Sequence, residues 1–153
     1  MRTCAGVICL TIETRKCRSG DFDQVLALLE QLWPEMDLDA QALERVYLKY
    51  LEAETDECVC AVEDSEVIGF CSLNIKNCLL HAGTLAYVDI LIVKEGYRGS
   101  GVGASMLDRA LEITRERGCA AVWLDSGFQR TGAHEFYNAQ GFKRLGFLFG
   151  KTL

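Results

Sequence analysis

Proline is nearly missing from this chain. Pro34 stands alone among 153 residues, so no proline-rich linker divides the sequence and one helix end at most is marked by the ring. No apolar run approaches the roughly 20 residues that cross a bilayer. Histidine is scarce: His81 and His134 are the only two, both far from any cysteine pair. With no Cys-x-x-Cys in the sequence, a zinc centre is not expected and no metal is assigned. Positive charge is also in deficit. A net charge of -6 argues against nucleic acid, which demands clustered Lys and Arg. There is no internal repeat and no low-complexity stretch.

What is present is globular composition, half apolar and a quarter charged. A chain of this length buries roughly 70% of its unfolded surface and needs no disulfide or metal to hold a core. The expected organisation is an extension at residues 1–9 followed by a single domain at 10–153. The first ten residues faintly resemble a signal peptide. They lack a small-residue cleavage site and run into Glu13 and Arg15, so they are read as an extension or first strand. Eight cysteines are many. Cys58, Cys60, Cys71 and Cys119 lie in or beside strand-like runs, as small buried hydrophobes do. They are read as reduced thiols, in a cytoplasmic setting.

Periodicity gives the elements. A strand over 10–17 precedes a helix with Phe22, Val25, Leu26, Leu29, Leu32 and Trp33 on one side. Asp21 and Gln24 form its expected capping box, and Pro34 ends it. A second helix starts near Asp39, with Leu43, Val46, Tyr47, Tyr50 and Leu51 inward. Strands over 57–62 and 67–75 join tightly through Asp64-Ser65. Next come a strand over 84–93, a helix over 102–117 closed by Gly118, a strand over 120–124, and a short helix over 133–140 closed by Gly141. Residues 142–153 offer two short strands, broken at Gly146 or Gly150. The order β-α-α-β-β-β-α-β-α-β-β predicts an α/β (α+β) domain with a mixed sheet and helices on both faces.

The segment from Val93 to Ala104 carries the chemistry. A strand feeds a turn containing Gly96, Gly99, Gly101 and Gly103, and the turn opens a helix. Glycine permits positive φ and close backbone approach. The first N–H groups of a helix lack internal partners and carry partial positive charge, so together they hold an anion, with a pyrophosphate as the natural guest. Arg98 adds a charge or orders the turn. Gly99-x-Gly101-x-x-Ala104 also fits a dinucleotide fingerprint, with Asp125 at the end of the next strand as a ribose acid. Against that reading, five residues separate Val93 from Gly99, and the chain after Gly103 is too short for the remaining parallel strands.

Arg98-Gly99-Ser100-Gly101-Val102-Gly103 resembles the Arg/Gln-x-x-Gly-x-Gly/Ala signature of the GNAT superfamily of acetyl-CoA-dependent N-acetyltransferases. Ala133-His134-Glu135-Phe136-Tyr137-Asn138-Ala139-Gln140-Gly141-Phe142 is similar to the family's second motif, and the ending from Phe147 to Leu153 is similar to the aminoalkylphosphonate branch. The resemblance implies a GNAT-type, mostly antiparallel central sheet and acetyl-CoA as acetyl donor. Its cofactor contacts would come from Leu91, Ile92 and Val93 through their backbone, from Arg98, Gly99, Ser100, Gly101, Val102 and Gly103, and from Tyr137. Arg130 is expected among the cofactor contacts too, although the family often has Asn there, a departure that puts that one contact in question.

The same resemblance implies direct attack of a neutral amine on the thioester, which needs a base, oxyanion donors and an acid. Tyr137 takes the family position of the acid that protonates the departing sulfur. For the base, alternation in the strand puts Ala86, Val88, Ile90 and Ile92 on one face and Tyr87, Asp89, Leu91 and Val93 on the other. Asp89 is then an acid on the ligand side, either the base or a substrate ligand, and a bulge could re-aim it. His134 and a cysteine nucleophile are weaker candidates. Expected partners are a small-molecule or protein amine, neither nucleic acid nor membrane, with a homodimer allowed. The acidic link from Glu35 to Asp39, with Trp33 at its start, is expected to border the acceptor site. A non-catalytic coenzyme A sensor of the same fold is the alternative.

Overall fold

The computed structural model describes residues 11–153. The expected extension at 1–9, the signal-like stretch and the first residue of the expected opening strand lie outside the described residues. The elements run β1 (Glu13–Lys16), α1 (Phe22–Leu32), α2 (Ala40–Glu52), β2 (Asp56–Glu63), β3 (Glu66–Cys78), β4 (Gly83–Val93), α3 (Val102–Glu116), β5 (Ala121–Leu124) and α4 (Thr131–Ala139). The five strands lie in the order β1-β2-β3-β4-β5. Pairing is antiparallel from β1 to β4, and β5 joins β4 in parallel. A sheet so largely antiparallel removes the dinucleotide reading, whose fold needs parallel strands on both sides of the motif.

Local chemistry accounts for the boundaries. Asp64 and Ser65 turn β2 into β3 with φ of 46° and 70°, the two left-handed residues of a tight hairpin whose twist matches its strands. The Asp39 carboxylate accepts from the N–H of Ala42 at 3.0 Å, capping α2. Gly118 leaves α3 and Gly141 leaves α4 at φ of 68° and 85°, where a side chain would be strained.

Two cores flank the sheet. On one face Phe22, Val25, Leu29 and Tyr47 pack on Cys60, Phe70 and Ile92. On the other, Val102, Met106, Ala110 and Ile113 of α3 pack on Val59, Cys71, Leu73, Ala86 and Val88. Helices thus cover both faces, as expected.

Three details differ from expectation. The capping box at Asp21 and Gln24 does not form. Arg15 grips the Asp21 carboxylate at 2.8 and 2.9 Å, while Gln24 accepts from the N–H of Val67 at 2.8 Å. Both side chains serve tertiary contacts that local pattern cannot reveal. The thiols are not all reduced: Cys17 and Cys60 form a disulfide, with Cα atoms 5.5 Å apart. Their sulfurs and Asp21 make a compact buried group, yet the sulfurs bond each other and Asp21 is held by Arg15. Cys58 and Cys71 are buried free thiols, as read. Finally, residues 142–153 carry no strand, so the two expected C-terminal strands are absent and the described order ends at α4.

Candidate active site

The site is made where two strands part. The β4–β5 ladder runs from Leu85 opposite Ala121 to Val88 opposite Leu124 and stops, while β4 continues to Val93. The freed edge of β4 opens into a cleft of about 740 Å³. Leu91, Ile92 and Val93 form one wall, Arg98, Gly99, Gly101 and Gly103 one end, and Arg130, Phe136 and Tyr137 the opposite wall. Nearly all the expected cofactor residues are therefore gathered in one place. Ser100 and Val102 do not line the cleft. The Ser100 hydroxyl donates to the carbonyl of Tyr97, and the Val102 side chain is buried in the α3 core, leaving only its backbone at the helix start.

Gly99 and Gly101 hold φ of 75° and 89°, and a Cβ built on either would meet nothing within 4 Å. Backbone conformation therefore demands glycine here, and the open space above the turn is room for a ligand. The first helical bond of α3 runs from the N–H of Ser105 to the carbonyl of Gly101 at 3.0 Å. The N–H groups of Val102, Gly103 and Ala104 precede it and point out of the helix. Arg98 orders the turn, its Nε donating to the carbonyl of Val93 at 3.3 Å.

A bulge reshapes β4. Its register against β3 steps from Leu73 opposite Val88 to Ser72 opposite Ile90, leaving Asp89 with no partner. Beyond it the faces exchange. Ala86 and Val88 share the α3 core with Leu91 and Val93, whereas Ile90 and Ile92 belong to the α1–α2 core. The expected grouping of Ala86, Val88, Ile90 and Ile92 on one face is corrected accordingly, because one extra residue inverts every side chain after it. Asp89 itself turns to the α1–α2 side, where the Tyr50 hydroxyl donates to it at 2.8 Å.

Asp89 is solvent-accessible, but its recessed setting raises its pKa. Desolvation is the largest cause, opposed by the Tyr50 hydrogen bond; Asp56 and Asp125 raise it further, and Lys76 lowers it. A parallel pair lies alongside, with the Tyr87 hydroxyl donating to Asp125 at 2.6 Å. The Lys76 ammonium sits 4.8 Å from the centroid of the Tyr87 ring.

Tyr137 stands edge-on to Phe136 and Phe142, at centroid distances of 5.3 and 5.9 Å. Burial, above all, pushes its phenol up to about 12, so it stays protonated across the working range of pH. His134 is spoken for: its Nε2 lies 2.9 Å from the carbonyl of Gly127, a loop-bracing contact. Arg130 reaches across the cleft and donates to the carbonyl of Leu32 at 3.1 Å, joining the start of α4 to the end of α1.

Sequence reasoning missed two residues. Periodicity places Tyr50 on the apolar face of α2, although a phenol on such a face signals a partner to find. Gln31 gave no signal at all. Its amide donates to the carbonyl of Val93 at 3.1 Å and accepts from the N–H of Glu95 at 2.7 Å, pinning the chain where β4 becomes the turn.

Comparison with known proteins converges on one family. The model of the acetyltransferase (GNAT) family matches residues 22–142. The aminoalkylphosphonate N-acetyltransferase of Salmonella typhimurium is 31% identical over 141 residues, covering 92% of this chain and 91% of that protein. The type 1 aminoglycoside N(6')-acetyltransferase of Stenotrophomonas maltophilia is 26% identical over 115 residues, 73% of each chain. Among solved structures, an aminoglycoside N-acetyltransferase in complex with CoA shares the fold with a TM-score of 0.85, at 17% identity, over 97% of this chain and 99% of that one.

Proposed function

This chain belongs to the GNAT acetyltransferase family and is an N-acetyltransferase, and from that premise we propose that it moves the acetyl group of acetyl-CoA onto a primary amine by direct attack in a ternary complex. The observation that carries this reading is the parting of β4 from β5 beside the start of α3. An unpaired strand edge and an anion-holding helix end then line one cleft. A thioester arm can pair with the open edge of Leu91 to Val93 as an extra half-strand, while the N–H groups from Gly101 to Ala104 take the pyrophosphate. The empty space above Gly99 and Gly101 fits that guest.

Acetyl-CoA supplies the activated carbonyl and a thiolate leaving group. The protein supplies the rest. Asp89, its carboxyl pushed upward in pKa, takes the ammonium proton through water, and Tyr50 holds it in place. The backbone N–H groups of Leu91 to Val93 donate to the oxygen on which charge develops. Tyr137, still protonated at neutral pH, delivers its proton to the sulfur. Reaction in the cytoplasm, where acetyl-CoA is made and used, fits this chemistry. The acidic link that follows Trp33 borders the acceptor side.

For the acceptor, a small aminoalkylphosphonate ranks first. The Salmonella relative of that name matches nearly the whole chain, and Lys76 places a cation over the Tyr87 ring, on the side of the strand that carries Asp89, for an anionic group. The test is thiol release from acetyl-CoA against an alkylamine, an aminoalkylphosphonate and an aminoglycoside. Release with none of them, together with no thermal stabilisation by acetyl-CoA, would overturn the proposal.

A further inference from the structure

The open edge of β4 has a definite end. The N–H of Lys94 donates to the carbonyl of Ile68 on β3 at 2.8 Å. Among the described residues no peptide bond is cis, and across a planar trans peptide the preceding carbonyl points the opposite way. The Val93 carbonyl therefore faces away from β3, toward the side from which β5 is missing. It is already taken there. It accepts from Nε2 of Gln31 at 3.1 Å and from Nε of Arg98 at 3.3 Å. Two residues on, the N–H of Glu95 donates to Oε1 of the same Gln31 at 2.7 Å.

Gln31 grips this step from a fixed base. α1 is seated in the core through Val25, Leu28 and Leu29, each at most 6% exposed. The turn that follows has less to hold it. Its backbone takes positive φ at Gly96, Gly99 and Gly101, so local sterics set its shape weakly. The bonds inside it are short-range, from the N–H of Tyr97 to the carbonyl of Lys94 at 3.0 Å and from the Ser100 hydroxyl to the carbonyl of Tyr97. A single amide that donates on one side and accepts on the other fixes the step from strand to turn against the body of the protein. Gln31 also lines the cleft.

We propose that Gln31 is a positioning residue for the donor, fixing the spacing between the pairing edge of Leu91 to Val93 and the anion-holding start of α3. The proposal rests on acetyl-CoA as the donor. Its thioester arm and its pyrophosphate are covalently joined, so their two seats must lie at the separation that the molecule dictates. With the step from Val93 to Glu95 held, binding of the pyrophosphate delivers the thioester to one place beside the reacting groups. With the step loose, the pyrophosphate still binds but no longer aligns the arm. A misplacement of about 1 Å, caused far from the chemistry, can cost about 100-fold in rate. Gln31 acts through the backbone that it holds and touches no reacting atom.

The test compares acetyl-CoA with acetyl-pantetheine, which keeps the thioester arm and lacks the pyrophosphate, using one amine for both. The ratio of kcat/KM for the two donors measures what the pyrophosphate contributes at the transition state. Gln31→Met keeps the length of the side chain and removes both hydrogen bonds. It should lower that ratio by about tenfold or more, the order that lost hydrogen bonds supply. A second readout needs no turnover. Amide hydrogen exchange of Glu95 should quicken at least about tenfold in Gln31→Met, while that of Leu28 and Leu29 in the helix keeps its wild-type rate. Equal losses with both donors, a ratio unchanged from wild type, or unaltered exchange at Glu95 would each overturn the proposal and leave Gln31 a brace of the fold. A wild-type protein that acetyl-CoA neither stabilises thermally nor acetylates through would overturn the donor reading as well.

Discussion

Val88 divides β4 into two stretches of similar composition and opposite use. From Leu85 to Val88 the strand has a neighbour on each edge, β3 and β5, and three of its four residues are buried. Beyond Asp89 it keeps β3 and loses β5, and the same kinds of side chain, Leu91, Ile92 and Val93, line a cleft. What makes the second stretch a site is a missing neighbour rather than a special residue. Unpaired N–H and C=O groups are costly to leave buried, and a ligand that can pair with them gains accordingly.

If that contrast is sound, substitutions around the open stretch should alter kinetics, and those in the closed stretch should alter stability. The largest effect is expected at the turn that the open stretch feeds. Gly101→Val forces a branched side chain into a left-handed backbone, at a cost of about 1–2 kcal/mol, and fills the space above the helix start. Thermal stabilisation by acetyl-CoA should vanish and thiol release should fall by more than about 100-fold. Tyr137→Phe, on the facing wall, should lower kcat by about 100-fold, in the range of a lost general acid. Its KM for acetyl-CoA should stay within about twofold. An unchanged kcat in single-turnover measurements would reduce Tyr137 to packing.

Val88→Ala tests the closed stretch. Deleting two buried methyl groups should cost about 2 kcal/mol, read as a melting temperature lower by roughly 4–8 °C, with turnover per folded molecule intact. A kinetic defect there would erase the distinction between the two stretches. Asp89→Asn sits at the junction and should cost about tenfold near neutral pH. Because burial raises the wild-type carboxyl from its ordinary value, the acid limb of kcat/KM should lie above that of an ordinary aspartate and disappear in the variant. The deficit should narrow at alkaline pH, where free amine is plentiful. A pure rise in acceptor KM would instead make Asp89 a substrate ligand. Tyr50→Phe is the mildest change, less than about threefold. Its hydroxyl favours the ionised carboxylate, so removing it should move that acid limb to higher pH.

The turn was legible in the sequence because its requirements are local. Positive φ at Gly99 and Gly101, a helix start just after them and a strand just before leave few alternatives. The Asp64-Ser65 hairpin was readable on the same grounds. The bulge was not. Alternation detects a face by contrast, and the residues after Asp89 are apolar on both sides, so a one-residue slip leaves no mark in the pattern. The disulfide escaped for a related reason: Cys17 and Cys60 meet only through the pairing of β1 with β2, 43 residues apart in sequence. Asp21 and Gln24 had the spacing of a capping box, but Arg15 and the N–H of Val67 compete for the same side chains, and both lie beyond the window in which capping is judged.

Gln31 gives the cleft a further property. One amide side chain, rooted in α1, holds both the last carbonyl of β4 and the N–H of Glu95 at the start of the turn, while Arg130 ties the end of the same helix to α4. The end of α1, the glycine turn and the start of α4 therefore share a mechanical joint. Thermodynamic reciprocity follows: an amine that shifts the end of α1 on binding changes the affinity for acetyl-CoA by some factor, and acetyl-CoA must change the affinity for that amine by the same factor.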